Sequence, residues 1–500
     1  MDVNTAREKL VSYQKKAAAY LHALELLNFD GATSAPRGSA STRGETMAIL
    51  SGELYAISTS AEVAETLFFL ESVREELTAE EARIVYLLQK DSKKIAKIPR
   101  DLYVAYRAQV VRADDVWHRA KESSDYALFS PELEKIFDMT KEIASNVEPD
   151  SDPYDFCLHE YEEGLNSRKL DDFFDTLRER ISPLLRAISK VPQQSDAIRK
   201  GFFAASDQEK LSRYLMDIIG LDPEHVALST TEHPFTISLG SHLDERITTH
   251  YYEDDFASSM YSVIHEGGHA LYETGCDDRF VFTALDGGTA MSIHESQSRF
   301  YENIIGRSRA FCSLVFPKVR EIFPEQMKGY SAEDLYRAVN RVEPSLIRTE
   351  SDEVTYCFHI MIRYELEKRL MHGELTVRDL PQEWNRLYRE YLGVEVPNDK
   401  VGVLQDTHWS GGMIGYFPSY ALGNAYGAQF FREMKKEIDV EKCILSGNLA
   451  PINEWNRKNI WQFGKLYTPD ELIRRITGGE FDPAVYADYL TEKYSEIYGL

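Results

Sequence analysis

A mainly α-helical protein with one small β-sheet is the fold class that these 500 residues predict. Three observations lead there. Apolar residues recur every three to four positions along most of the chain, which marks helices with one buried face. Two short runs near the middle, 236–239 and 246–251, are instead β-branched and alternating, as half-buried strands are. Soon after them comes His265-Glu266-Gly267-Gly268-His269, two histidines four apart inside a helical pattern.

Taken in order, Leu10, Tyr13, Ala17, Leu21, Leu24 and Leu27 define a first helix over 5–27, and Gly31, Pro36 and Gly38 break it across 30–41. Further helices are expected over 42–58, 78–98, 102–121 and 131–147. Pro99 closes one of them, because proline disfavours helical backbone in the residue before it. Helical signals continue over 169–219, with breaks near Pro192 and Gly201. The character changes at about Ala227, where the strand-like runs begin. A strand just ahead of the histidine motif can hold an extended peptide by adding it to the sheet edge. After Phe300 the pattern is helical to the end, apart from the glycine-rich 402–427, which reads as a loop. No Pro/Gly/Ser-rich linker, low-complexity tract or internal repeat divides the chain. One unit over 1–500 is expected, mostly helical over 1–225, carrying the sheet and the motif over 226–310, and helical again over 311–500.

Composition narrows the function. An apolar fraction of 43% is ordinary for a globular protein. A formal charge of −25 opposes binding to nucleic acid or anionic lipid. Residues 1–10 contain no apolar leader, and no run of about 20 apolar residues is present to span a membrane. Cys157, Cys276, Cys312, Cys357 and Cys443 are odd in number and scattered, which is no disulfide framework and suits a reducing cytoplasm. Buried apolar filler is their expected role.

The motif carries the chemistry. Helical positions i and i+4 share one face, so His265 and His269 can reach one tetrahedral Zn²⁺. Glu266 stands about 100° round the helix, beside the ion, where it can hold a water and take its proton. Tyr261, Ile264, Gly268 and Leu271 give this helix a buried face. Two adjacent glycines cost it roughly 1 kcal/mol each against alanine, which suggests close approach of another segment. A catalytic zinc needs a third protein ligand and one open position. Glu273 continues the same helix and would point away. Asp277, Asp278 and Asp286 lie in turns, which place a ligand less rigidly. Glu295 begins a new periodic segment over 291–305, so it is the expected third ligand, with Glu302 in reserve.

With those residues in view, the stretch from His265 to Glu273, followed by Gly288-Thr289-Ala290 and His294-Glu295-Ser296-Gln297-Ser298-Arg299, resembles the M32 metallocarboxypeptidases, the Taq-type thermostable carboxypeptidases. His233-Pro234-Phe235 and Asp244-Glu245-Arg246-Ile247-Thr248 match the HPF and DxRxT motifs of that family. Ile347-Arg348-Thr349-Glu350-Ser351-Asp352 is similar to IRxxAD, and Gly402 to Trp409 matches GxxQDxHW. The likeness spans the whole chain. Ser351 departs from the family's alanine, and Phe29 stands where tryptophan is expected; neither falls on the metal chemistry.

The resemblance implies a gluzincin-like zinc-peptidase fold, with the small sheet beside a deep central groove between two helical halves. It implies a cytoplasmic homodimer that removes single C-terminal residues from short peptides with broad specificity. One Zn²⁺ per subunit is expected, and Co²⁺ is an accepted substitute. Glu266 would act as general base and then pass its proton to the leaving amine. Tyr420 with His408 would donate to the oxyanion, and Tyr416 lies in the same segment. Arg348 would take the substrate's α-carboxylate through its planar fork. Arg246 would grip backbone or limit peptide length, and the two arginines could exchange roles. His233 would belong to a rigid groove wall. His294 would either orient a metal ligand or make a simple core hydrogen bond. An oligopeptidase or dipeptidyl carboxypeptidase would share this metal site and cut further from the terminus. A non-catalytic peptide-binding protein would not need the complete set.

Overall fold

The computed structural model describes residues 1–500, the side chain of Asp91 excepted. The early helices are Val3–Thr33, Ala40–Ser58, Ala79–Lys97, Arg100–Ser123 and Tyr126–Val147, and their ends have local causes. Thr78 and Glu81 form a reciprocal capping box. Pro99 precedes the next helix, and the Asp125 carboxylate accepts from the Ala127 amide. The break expected over 30–41 is shorter than that. The first helix runs on to Thr33, and the chain turns only through Ser34, Ala35 and Pro36. Gly31 does not stop the helix; a Cβ there would come within 2.8 Å of Arg43 Nε on the following helix. A further helix, Ala61–Ser72, buries Val63, Leu67 and Leu70, a pattern the periodicity reading passes over.

Helices Ser167–Ile188 and Ala205–Ile219 flank the irregular stretch that Pro192 and Gly201 predict. Gly220, at φ +88°, ends the second of them in the left-handed region. Three strands follow: β1 (Val226–Thr230), β2 (Thr236–Ser238) and β3 (Glu245–Thr249), in the order β1-β3-β2. β1 runs parallel and β2 antiparallel to the central β3. The two alternating runs are β2 and β3; β1 is mostly half-exposed and has no sequence signature of its own. Fully buried Ile247 of β3 pairs with Leu228 on one side and Thr236 on the other.

The motif helix, Phe256–Thr274, packs on β3 and on Ala205–Ile219. Gly267 makes the second contact possible, since a Cβ there would stand 3.2 Å from Leu221 Cδ1, with Ile219 nearer still. The glutamate segment begins as an α-helix, Met291–Arg299, and continues as a π-helical turn, Phe300–Gly306. Such turns are rare and concentrate at functional sites.

The glycine-rich loop expected over 402–427 is a loop only as far as Tyr416. Phe417–Glu437 is a helix that passes through Gly423 and Gly427. These glycines are contact points rather than breakers. A Cβ on Gly423 would lie 2.8 Å from the Glu295 carbonyl carbon, and one on Gly427 3.0 Å from the Ser296 carbonyl oxygen. Packing of the two backbones offsets the roughly 1 kcal/mol that each helical glycine costs.

The core falls into two clusters. Most buried side chains from Ile98 to Tyr498 form one of them. Ala6, Leu10, Val63, Leu67, Leu70, Ile84 and Val85 form the second with Cys276, Phe280 and Leu285. The N-terminal helices therefore rest on the stretch that joins the motif helix to the glutamate helix. Among the described residues no helix is long and apolar enough to cross a membrane.

Candidate active site

His265, His269 and Glu295 come together as their spacing predicts. Each offers one ligand atom, and the three atoms lie within 4.8 Å of one another. His265 Nε2 stands 3.8 Å from Glu295 Oε2. A tetrahedral ion with bonds of about 2.0–2.2 Å separates its ligand atoms by roughly 3.3–3.6 Å, so this pair stands only a few tenths of an ångström wider than a small divalent cation requires, and the three donors are of the type such an ion takes. Gly268 lets the two helices approach: a Cβ there would be 2.7 Å from Ser298 Cα and 2.8 Å from the Gln297 carbonyl oxygen. Ser298 Oγ donates to Glu295 Oε2 at 3.0 Å and fixes the carboxylate.

Glu302, the reserve ligand, does a different job. Its Oε2 accepts from His265 Nδ1 at 2.9 Å, which leaves Nε2 facing the other two ligands. It also accepts from Arg299 Nη1 at 2.9 Å and Arg307 Nη2 at 3.0 Å. Burial would raise this carboxyl, but Arg299, His265 and Arg307 hold it well below the usual range. Burial pulls His265 down, and the Glu302 bond together with the charges of Glu266 and Glu302 more than offsets it. His269, buried beside His265 and His294, falls well below its ordinary value and is neutral, as a ligand imidazole must be. Glu266 is 7% exposed, and burial raises its carboxyl. Thr236 Oγ1 of β2 donates to Glu266 Oε2 at 2.7 Å, so the edge strand steers this side chain.

A second cluster gathers opposite. Arg348 is 5% exposed, and its Nε and Nη2 donate to Asp406 Oδ1 at 3.1 and 3.0 Å. Its Nη1 donates to Tyr356 Oη at 3.1 Å. Arg363 Nε holds the other Asp406 oxygen at 2.7 Å. Burial would raise Asp406, and the two guanidiniums hold it far below the carboxylate range. Arg348 lies 4.8 Å from the Tyr420 ring, and Tyr420 Oη lies 3.3 Å from His408 Nε2. Burial pushes His408 down to about 3, so it is neutral at physiological pH. Tyr416 packs edge-on against Tyr420 with centroids 5.2 Å apart. Burial raises both phenols and the Glu295 carboxylate raises them further, which ties this cluster to the metal-ligand set.

Of the remaining sequence candidates, Arg246 and His233 stand apart from these two groups, while His294 packs against the His269 ring with centroids 5.6 Å apart. Arg246 is partly exposed, doubly bonded to Asp244 at 2.6 and 3.0 Å and 6.0 Å from the Phe29 ring. His233 is exposed in the turn that enters β2, while Phe235 next to Pro234 donates its amide to Thr248 Oγ1 at 2.7 Å. His294 makes the core hydrogen bond, to Glu273 Oε1 at 2.8 Å. Asp278 and Asp286 turn to His242 instead. Sequence reasoning missed Thr236, Tyr356 and the bridging role of Asp406. Only Asp406 had a signal, its place in the Gly402–Trp409 motif.

The family model described as "Carboxypeptidase Taq (M32) metallopeptidase" matches residues 9–494. Carboxypeptidase 1 of Bacillus subtilis is 37% identical over 501 residues, covering the whole of both chains. Thermostable carboxypeptidase 1 of Thermus thermophilus is 36% identical over 513 residues, again with full coverage of both. The crystal structure of an M32 carboxypeptidase from Deinococcus radiodurans superposes with a TM-score of 0.96 at 35% identity, over 99% of this chain and 100% of that one. A family model over nearly the whole length, full-length relatives and a matching fold place the chain in the M32 (carboxypeptidase Taq) family of metallopeptidases, peptide hydrolases that act at C-termini.

Proposed function

We propose that the protein is a zinc carboxypeptidase that releases single C-terminal amino acids from short peptides with broad specificity, with His265, His269 and Glu295 holding one Zn²⁺ per subunit. The observation that carries this reading is the pairing of that ligand set with Glu266, a buried carboxylate anchored by Thr236 beside it. Two imidazoles and one carboxylate are a borderline donor set that suits Zn²⁺ and also accommodates Co²⁺. When bound, the ion supplies Lewis acidity that makes water a nucleophile at neutral pH and polarises the scissile carbonyl.

The protein's own groups do the rest. Glu266 Oε1, free of the Thr236 bond, takes a proton from the attacking water and delivers it to the leaving nitrogen. Glu302 keeps His265 in one tautomer throughout. The Tyr420 hydroxyl, with neutral His408 behind it, donates to the developing oxyanion, and Tyr416 packs against it. Arg348 has one guanidinium edge committed to Asp406 and one Nη1 proton to Tyr356; the N–H groups left over receive the terminal carboxylate. Arg246 and His233, on the exposed side of the sheet, contact the peptide further from its end. A cytoplasmic homodimer is the assembly and location that fit the resemblance and the unpaired cysteines.

The test uses a short peptide, its C-terminal amide, and Glu266→Gln. The parent protein loaded with Zn²⁺ should release one free amino acid at a time and leave the amide intact. The variant should keep the metal and lose at least about 10³-fold in kcat. Release of dipeptides, or equal cleavage of the amide, would replace this reading with dipeptidyl or internal cleavage.

A further inference from the structure

A second group of metal-binding side chains lies outside the catalytic set. His242, Cys276 and Asp286 each offer one donor atom, and the three atoms lie within 4.8 Å of one another. They come from three places in the chain. His242 follows β2 at a turn, Cys276 directly follows the C-cap of the motif helix, and Asp286 precedes Gly287-Gly288 on the way to the glutamate helix. His242 is fully enclosed: its side chain has no exposed surface, and both ring nitrogens meet carboxylates. Nδ1 contacts Asp286, and Nε2 lies 3.2 Å from Asp278 Oδ1. Cys276 is 5% exposed.

The arrangement repeats the logic of the catalytic histidine. There, Glu302 holds one ring nitrogen of His265 and leaves the other to the metal. Here, Asp278 holds one ring nitrogen of His242, and the other faces Asp286 and Cys276. An independent observation makes the surroundings unusual. Glu245 of β3 is wholly buried, and its carboxylate oxygens make no well-formed hydrogen bond, the Ser238 hydroxyl being a weak partner. Glu273 and Asp286 both act on it as neighbouring negative charges. A buried carboxyl without a strong partner costs several kcal/mol unless something compensates it. Burial holds the Glu245 carboxyl well above its ordinary value, toward the neutral form, and a cation nearby would favour its charged form instead.

We propose that His242, Cys276 and Asp286 form a second divalent-cation site, selective for a Zn²⁺- or Co²⁺-like ion, that fastens the end of the motif helix to the loop leading into the glutamate helix. Nitrogen, thiolate and carboxylate together favour borderline-soft ions over Mg²⁺ or Ca²⁺. Binding displaces the proton held between His242 Nδ1 and Asp286 and one from the Cys276 thiol to solvent. The direct His242–Asp286 hydrogen bond opens to the roughly 3.3 Å that separates two ligand atoms of a tetrahedral ion. A solvent molecule completes the fourth position.

Cobalt distinguishes the two sites, because only this one contains sulfur. Metal-free full-length protein titrated with Co²⁺ should bind two ions per chain. A near-ultraviolet thiolate-to-cobalt charge-transfer band should grow with one of the two equivalents. Cys276→Ser should bind one ion and lose the band; His242→Gln, which keeps the thiol, should do the same and guards against misfolding of the first variant. Glu295→Gln should keep the band and lose the other ion, so a failure of the catalytic assignment is told apart from a failure here. A single cobalt per chain with no sulfur band, or a band that survives Cys276→Ser, would overturn the second site and leave His242 as a core histidine hydrogen-bonded between Asp278 and Asp286.

Discussion

Gly423 offers the sharpest test of how the glutamate ligand is positioned. It lies on the helix Phe417–Glu437 and is none of the proposed ligands, yet its missing side chain is what lets Glu295 sit where it does. An alanine Cβ would lie 2.8 Å from the Glu295 carbonyl carbon and 3.0 Å from the Ser296 amide nitrogen. Both are backbone atoms, so no rotamer change relieves the clash. Ordinary contact begins at about 3.4 Å, so the helices must part by at least about 0.6 Å. Alanine gains about 1 kcal/mol in helix propensity, and overpacking of this kind costs about 1–3 kcal/mol. Gly423→Ala should therefore lose up to about 2 kcal/mol in denaturation of the metal-free protein. Displacing the ligand carboxylate should weaken metal binding by roughly 10–100-fold, the scale seen when a supporting contact of a metal ligand is lost. Competition with a chromogenic chelator measures this directly. Gly427→Ala, which meets only the Ser296 carbonyl oxygen at 3.0 Å, should weaken binding about threefold at most. Wild-type metal affinity and stability in Gly423→Ala would refute the idea that this helix sets the position of Glu295.

Other perturbations probe the remaining links. Glu302→Gln should lower metal affinity about 10–100-fold and destabilise the fold by about 3–5 kcal/mol, because buried Arg299 and Arg307 lose their anionic partner; chelator competition and denaturant titration read the two effects separately. Arg348→Lys should cut kcat/KM by about 30–100-fold, mostly through KM, because a lysine cannot serve Asp406 and a carboxylate together; an unchanged KM would remove Arg348 from carboxylate recognition. Glu367 accepts from Trp409, Tyr154 and the Gly415 amide, yet burial pushes it from 4.5 up to about 7. The folded protein thus holds this proton more tightly than the unfolded chain. The resulting stabilisation is complete below about pH 4.5 and disappears as pH rises through about 7, a change of about 3 kcal/mol. Glu367→Gln should remove that slope from stability measured between pH 4.5 and 7, whatever its constant offset.

The metal-ligand geometry was legible because helical spacing alone fixes where His265 and His269 point, and because Glu295 opens a clear apolar repeat. What the sequence hid depends on contacts between distant segments. Gly423 and Gly427 look like breakers until their neighbour is known, since local propensity cannot register a helix pressed against another backbone. The π turn at Phe300–Gly306 keeps its apolar residues buried all round, so periodicity cannot tell it from an α-helix. Arg348 and Asp406 are 58 positions apart, and nothing local pairs them. Thr236 reads only as a strand residue, although its hydroxyl is what holds Glu266.

The π turn also constrains how this segment can change length. Its wider winding presents Glu302 to His265, Arg299 and Arg307 at once. Losing one residue between Glu302 and Arg307 would restore regular winding and leave Arg307 on nearly the same bearing, since four steps of about 100° sweep roughly the arc of five steps in the wider turn; it would still face the carboxylate it neutralises and the Tyr261 ring, from which it stands 4.1 Å. Loss of a second residue would turn Arg307 about 100° away from both, so this stretch can shed one residue and no more without breaking the contacts that hold Glu302.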